Sequence, residues 1–121
     1  MRKALFVVVI AAALSTAVVA YAATTLSNPA DKVRLAYSKK TLTADAGKIT
    51  IKMFNPSVLK HDISLRAGTG TKGKVIAKGQ TVPKGGTSKI TVTLKPGKYR
   101  FFCSVAGHEA GGMWGILTVK G

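Results

Sequence analysis

From Val33 onward the chain is a succession of short runs in which every second residue is apolar, and that alternation limits its fold more than any other feature. Val33, Leu35 and Tyr37 alternate with polar neighbours, and Ile49, Ile51 and Met53 alternate with Lys48, Thr50 and Lys52. Further runs carry Ile63 and Leu65, Val75 to Ala77, then Ile90, Val92 and Leu94, then Tyr99, Phe101 and Cys103, and finally Leu117 and Val119. A period of two gives a strand one apolar face and gives a helix no stripe. Turn chemistry falls between the runs, at Ala46-Gly47, Lys84-Gly85-Gly86 and Lys95-Pro96-Gly97. The pattern predicts one all-β domain, a small antiparallel sandwich or barrel of seven or so strands. The Gly-, Lys- and Thr-rich stretch from Arg66 to Gly86 reads as loops around an edge strand.

The first residues read differently. Arg2 and Lys3 precede an unbroken apolar run, Ala4 to Leu14, and Ala20-Tyr21-Ala22 offers an Ala-x-Ala cleavage site. Residues 1–22 therefore read as a secretory signal peptide. The alternative is a retained membrane anchor through residues 4–23, an uncharged stretch long enough to cross a bilayer. Residues 23–32 are polar, contain Asn28-Pro29 and read as a tether, leaving residues 33–121 as the domain. Either reading puts the domain outside the cytoplasm, in a periplasmic or other extracytoplasmic space.

Export makes the cysteine content informative. Cys103 is the only cysteine, so no intramolecular disulfide can form. Three options remain: an intermolecular bridge, a buried inert thiol, or a metal thiolate. The surrounding sequence, CSVAGHEAGGMWG, spaces Cys103, His108 and Met113 as C-x4-H-x4-M, and the only other histidine is His61, at the start of a predicted strand. Taken singly, each of these residues is explained by packing. Together, one thiolate, two imidazoles and one thioether form the donor set of a blue-copper electron-transfer site, where few atoms need move when an electron arrives. Zinc accepts the same Cys and His donors but ordinarily takes no thioether.

These residues resemble those of the cupredoxins, the small blue-copper proteins that include plastocyanin, azurin, auracyanin and rusticyanin. The similarity spans about Lys32 to Lys120 and is sharpest in YRFFCSVAGHEAGGMWGILTV and GKITIKMFNPSVLKHDISL. The loop spacing is closest to the auracyanin and rusticyanin type. The resemblance implies an all-β, Greek-key, cupredoxin-like β-sandwich of about seven to eight strands holding one copper ion, Cu(I)/Cu(II), with His61, Cys103 and His108 as equatorial ligands and Met113 as the axial one. It also implies a hydroxyl at Ser104 tying the ligand loop to the residue after the first histidine. That residue is Asp62, where many relatives carry Asn. An ionised Asp62 would favour Cu(II), a hydrogen-bonded one would stiffen the site, and a solvated surface Asp is the alternative. An apolar patch of Val58, Leu59, Val105, Ala106, Ala110 and Trp114 is expected around the exposed histidine edge, with Trp114 equally readable as a sandwich residue.

Charge completes the picture. Beyond the N-terminal segment, 17 Lys and Arg face four acids (Asp31, Asp45, Asp62 and Glu109), a net charge of +13. The lysines are spread along the chain with no aromatic platform, which argues against nucleic acid. Steering toward redox protein partners with acidic docking surfaces fits better, as does attraction to an anionic membrane or cell-wall surface. Both histidines belong to one site, so none is left for a catalytic copper centre, and the acids are scattered; the chain reads as an electron carrier and not as an enzyme. The alternative function is extracytoplasmic copper delivery or storage without a redox role. A monomer is expected.

Overall fold

Period-two runs become strands where their backbone finds a partner. A computed structural model describes residues 3–4, 7–14 and 23–121. Its strands are β1 (Thr24–Ser27), β2 (Thr41–Asp45), β3 (Gly47–Phe54), β4 (Ser64–Ala67), β5 (Val75–Lys78), β6 (Thr87–Leu94), β7 (Gly97–Phe102) and β8 (Trp114–Lys120). They form two sheets, one ordered β1-β3-β6 and the other β2-β8-β7-β4-β5. This is an all-β sandwich with no helix among the described residues.

β3 shows how alternation builds the core. Ile49, Ile51 and Met53 are fully buried, while Lys48 and Lys52, on the opposite face, are exposed and Thr50 is half-buried. Each such side chain contributes about 1.5–3 kcal/mol relative to remaining in water. Antiparallel pairing with β6 puts Ile49 opposite Val92 and Ile51 opposite Ile90. The second sheet offers Leu65 from β4, Phe101 from β7 and Leu117 from β8, all fully buried, to the same core. Tyr37 packs edge-on against Phe101, with ring centroids 5.3 Å apart. Only Ala46 separates β2 from β3, so the chain passes from one sheet to the other across a single residue.

Two expectations change. Val33, Leu35 and Tyr37 do not make a strand: only Tyr37 pairs, in an isolated bridge with Ala30, and Val33 is exposed. The cause is Asp31, whose Oδ1 accepts hydrogen bonds from the amides of Val33 and Arg34 at 2.9 and 2.7 Å and so takes them from any ladder. Thr24–Ser27, expected within a tether, forms β1 and pairs in parallel with β3, Thr24 opposite Ile49. Backbone pairing recruits it with a single apolar side chain, Leu26, half-buried against the core.

β5 closes one edge of the five-stranded sheet, as the Gly- and Lys-rich stretch suggested. The Ala20-Tyr21-Ala22 motif lies outside the described residues. No helix among the described residues is long and apolar enough to cross a membrane.

Candidate metal centre

The site is assembled where β7 and β8 end together. Cys103 is the first residue after β7 and Met113 the last before β8. The Cys103 amide donates to the Met113 carbonyl at 3.1 Å, continuing the ladder past both strand ends. The intervening loop turns on itself through His108 N–H to Val105 O and Met113 N–H to His108 O, both 3.0 Å. Gly107 and Gly112, at φ +81° and +114°, occupy conformations that a side chain would strain. Glycine in this loop is therefore a requirement of the turn.

His61 arrives from the other side. It forms an isolated bridge with Val82, each amide donating to the other's carbonyl, at 3.2 and 2.9 Å. The turn that delivers it is organised by Asn55, which is fully buried. Asn55 Nδ2 donates to the carbonyls of Leu59 and Val82 at 2.8 and 3.0 Å, and its Oδ1 accepts from the Ser57 amide at 2.9 Å. Asn55 was not singled out from the sequence; its position just after a strand and before Pro56 was the available signal.

Three donor atoms meet at this point. His61 Nδ1 and His108 Nδ1 are 3.1 Å apart, and Cys103 Sγ lies 3.9 Å from the first and 3.6 Å from the second. Two imidazole lone pairs aimed at one point repel unless a proton or a cation lies between them. The edges of this triangle accommodate an ion bonded at about 2.0–2.1 Å to each nitrogen and about 2.3 Å to the sulfur, distances such donors keep to a first-row metal. The residues therefore fit a soft or borderline transition metal. His61 and Cys103 are buried and His108 is half-exposed. Met113 is fully buried beside them in the chain, its backbone bonded to both Cys103 and His108.

Burial, reinforced by His108, holds the His61 imidazole below its ordinary pKa and so favours its neutral, ligating form. Burial pushes the Cys103 thiol up, partly opposed by the Asp62 amide, which donates to Sγ at 3.4 Å. A thiol raised in this way keeps its proton until a metal cation takes up the sulfur, whereupon the proton leaves to solvent. His61 Nε2 is buried with no hydrogen-bond partner among the described residues.

Asp62 is not a solvated surface residue; it is fully buried. Its Oδ1 accepts from Ser64 Oγ at 3.1 Å and from the Ser104 amide at 2.9 Å. Its Oδ2 accepts from Thr81 Oγ1 at 3.0 Å and from Ser104 Oγ. The residues after His61 and after Cys103 are thus bonded to each other twice. Ser64 and Thr81 join them only through the fold, which the sequence did not reveal.

Val58 and Leu59 are exposed, as are Ala106 and Ala110, with Val105 half-buried. Trp114 is neither interior nor free: the Arg100 guanidinium lies over its ring at 3.9 Å and Lys40 Nζ at 5.0 Å.

Residues 24–120 match the copper-binding proteins of the plastocyanin/azurin family. The chain is 30% identical to a plastocyanin of Synechococcus sp. (strain JA-2-3B'a(2-13)) over 124 aligned positions, which cover 89% of each protein. Among solved structures it is similar to the dithionite-reduced auracyanin of Roseiflexus castenholzii, with a TM-score of 0.73, 30% identity, and coverage of 80% of this chain and 97% of that one. Auracyanin A of Chloroflexus aurantiacus gives a TM-score of 0.72 and 25% identity, over 82% of this chain and all of that one. With residues 24–120 matched to the family and 30% identity to a plastocyanin over 89% of each protein, the chain belongs to the plastocyanin/azurin family of copper-binding proteins.

Proposed function

We propose that this protein is a one-electron carrier holding a single type 1 copper through His61, Cys103, His108 and Met113, and that it works between redox proteins outside the cytoplasmic membrane. The observation that carries the reading is the convergence of His61 Nδ1, His108 Nδ1 and Cys103 Sγ within 4.8 Å of one another in a largely buried pocket. Copper, when bound there, supplies the one-electron chemistry by cycling between Cu(I) and Cu(II).

The chain's own residues supply the rest. The β7–β8 ladder fixes Cys103 relative to Met113, and Asn55 fixes the approach of His61. Asp62 and Ser104 join the two ligand segments, which limits how far their donors drift between oxidation states. His108 is the half-exposed ligand, with Ala106 and Ala110 exposed near it in the loop, and offers the route by which electrons enter and leave. Residues 1–22 serve as an export signal, or residues 4–23 as a retained anchor. The +13 charge steers the domain toward acidic partner surfaces or an anionic envelope.

Loading the protein with Cu(II) and recording its visible spectrum tests this directly. An intense thiolate-to-copper band is expected, absent in Cys103→Ser and retained in Met113→Leu. A colourless wild-type protein would falsify the carrier reading. Fast copper transfer to a competing apo-protein, with slow electron self-exchange, would assign delivery instead.

A further inference from the structure

Glu109 is the only charged residue of the loop between Cys103 and Met113, and its side chain is only 19% exposed. Its Oε1 accepts from Arg66 Nη2 at 2.8 Å and its Oε2 from Arg100 Nε at 2.7 Å. The two arginine side chains are 12% and 8% exposed and are cross-strand partners on β4 and β7. Each guanidinium covers an aromatic ring at 3.9 Å, Arg66 over Phe102 and Arg100 over Trp114. Those rings are themselves cross-strand partners. They also flank the site in sequence, Phe102 preceding Cys103 and Trp114 following Met113. Further guanidinium donors reach the carbonyls of Thr71 and Thr69.

This arrangement is more than a surface ion pair. Among the described residues from Val105 to Gly112, only Glu109 and the His108 ring make side-chain hydrogen bonds to other segments. A loop with three glycines between Gly107 and Gly112 has much backbone freedom to lose, and its internal turns fix its shape without fixing its place on the sheet. The charge-assisted bonds of a carboxylate held between two stacked, largely buried guanidinium groups supply that fixture.

We propose that Glu109 is a positioning residue: clamped by Arg66 and Arg100, it holds the turn that carries His108 against the outer face of the five-stranded sheet and keeps Nδ1 aimed at the metal position. The consequence for copper rests on the carrier reading above; the clamp itself does not.

Glu109→Gln and Arg66→Gln separate positioning from electrostatics, because they break the same pair while changing the net charge in opposite directions. In the metal-free protein, amide heteronuclear NOEs at Gly107, Gly111 and Gly112 are expected to be rigid in the wild type and to drop in both variants. After Cu(II) loading, both variants are expected to release copper to a chelator about 10-fold faster, with Arg66→Lys recovering part of the loss. Unchanged amides in both variants, or release rates that move in opposite directions with the charge, would overturn the clamp. A wild type that takes up no Cu(II) would sink the carrier reading while leaving the metal-free measurement to decide the clamp.

Discussion

Two of the chain's four acids directly follow its two histidines, and both are occupied: Asp62 by Ser64, Thr81 and Ser104, Glu109 by Arg66 and Arg100. Every hydrogen bond made by the Asp62 side chain is donated to its carboxylate oxygens, an arrangement suited to an acceptor-only group. Asp62→Asn should therefore keep the blue colour but raise the reduction potential by on the order of 60–100 mV, roughly a 10- to 50-fold change in a one-electron equilibrium. Protein-film voltammetry checks this, and an unchanged or lowered potential would show that the carboxylate does not favour Cu(II). Asp31 gives the pH dependence. Backbone bonds from Arg34 and Val33 lower its pKa to about 2. Because the folded value lies below the unfolded one, its contribution is complete above about pH 4 and is lost as pH falls through about 2. The urea-midpoint difference between wild type and Asp31→Asn should accordingly be constant near neutrality and shrink below about pH 4. At this scale the three converging donors, His61, Cys103 and His108, were legible, because Cys and His are scarce in the chain. The companions Asn55, Ser64, Thr81, Arg66 and Arg100 were not, since ordinary polar residues announce a role only when folding brings them to a partner.

Elements with a buried face were legible for the reason that their alternation is a record of burial. β3, β6 and β8 fall on the alternating runs, and the ligand loop falls between the last two strands as its glycines suggest. β1 was hidden because a four-residue edge strand with one apolar side chain, Leu26, is too short to show an alternation. The opposite error at Val33 to Tyr37 arose because Asp31 redirects two amides. The Asn55 turn is the element on which His61 depends. Asn55→Ala removes three hydrogen bonds in a buried place. It should cost about 1–3 kcal/mol in urea unfolding. It should also speed copper release, and a stable variant with wild-type release would separate the turn from the site.

The whole molecule combines a small sandwich with a large charge. Fold class followed from periodicity alone, but which face meets a partner does not, because the lysines lie on strands, edges and turns alike. The charge still makes a kinetic prediction. Electron transfer with an anionic redox protein should slow by roughly 10-fold or more as ionic strength rises and the Debye length falls from about 30 to about 8 Å. Stopped-flow rates at 0.01 and about 0.15 M salt check it; a flat profile would remove electrostatic steering.

The early pairing of β1 has a geometrical consequence for this molecule. Thr24 is already locked opposite Ile49, so almost no slack separates residue 23 from the folded body. A ten-residue leash would have reached about 33–36 Å. If the apolar stretch stays in a bilayer, the domain is moored at the surface with one edge down, unable to swing toward a distant acceptor. It would then act as a fixed relay post that partners must visit, and cleavage of the leader would turn the same fold into a freely diffusing courier.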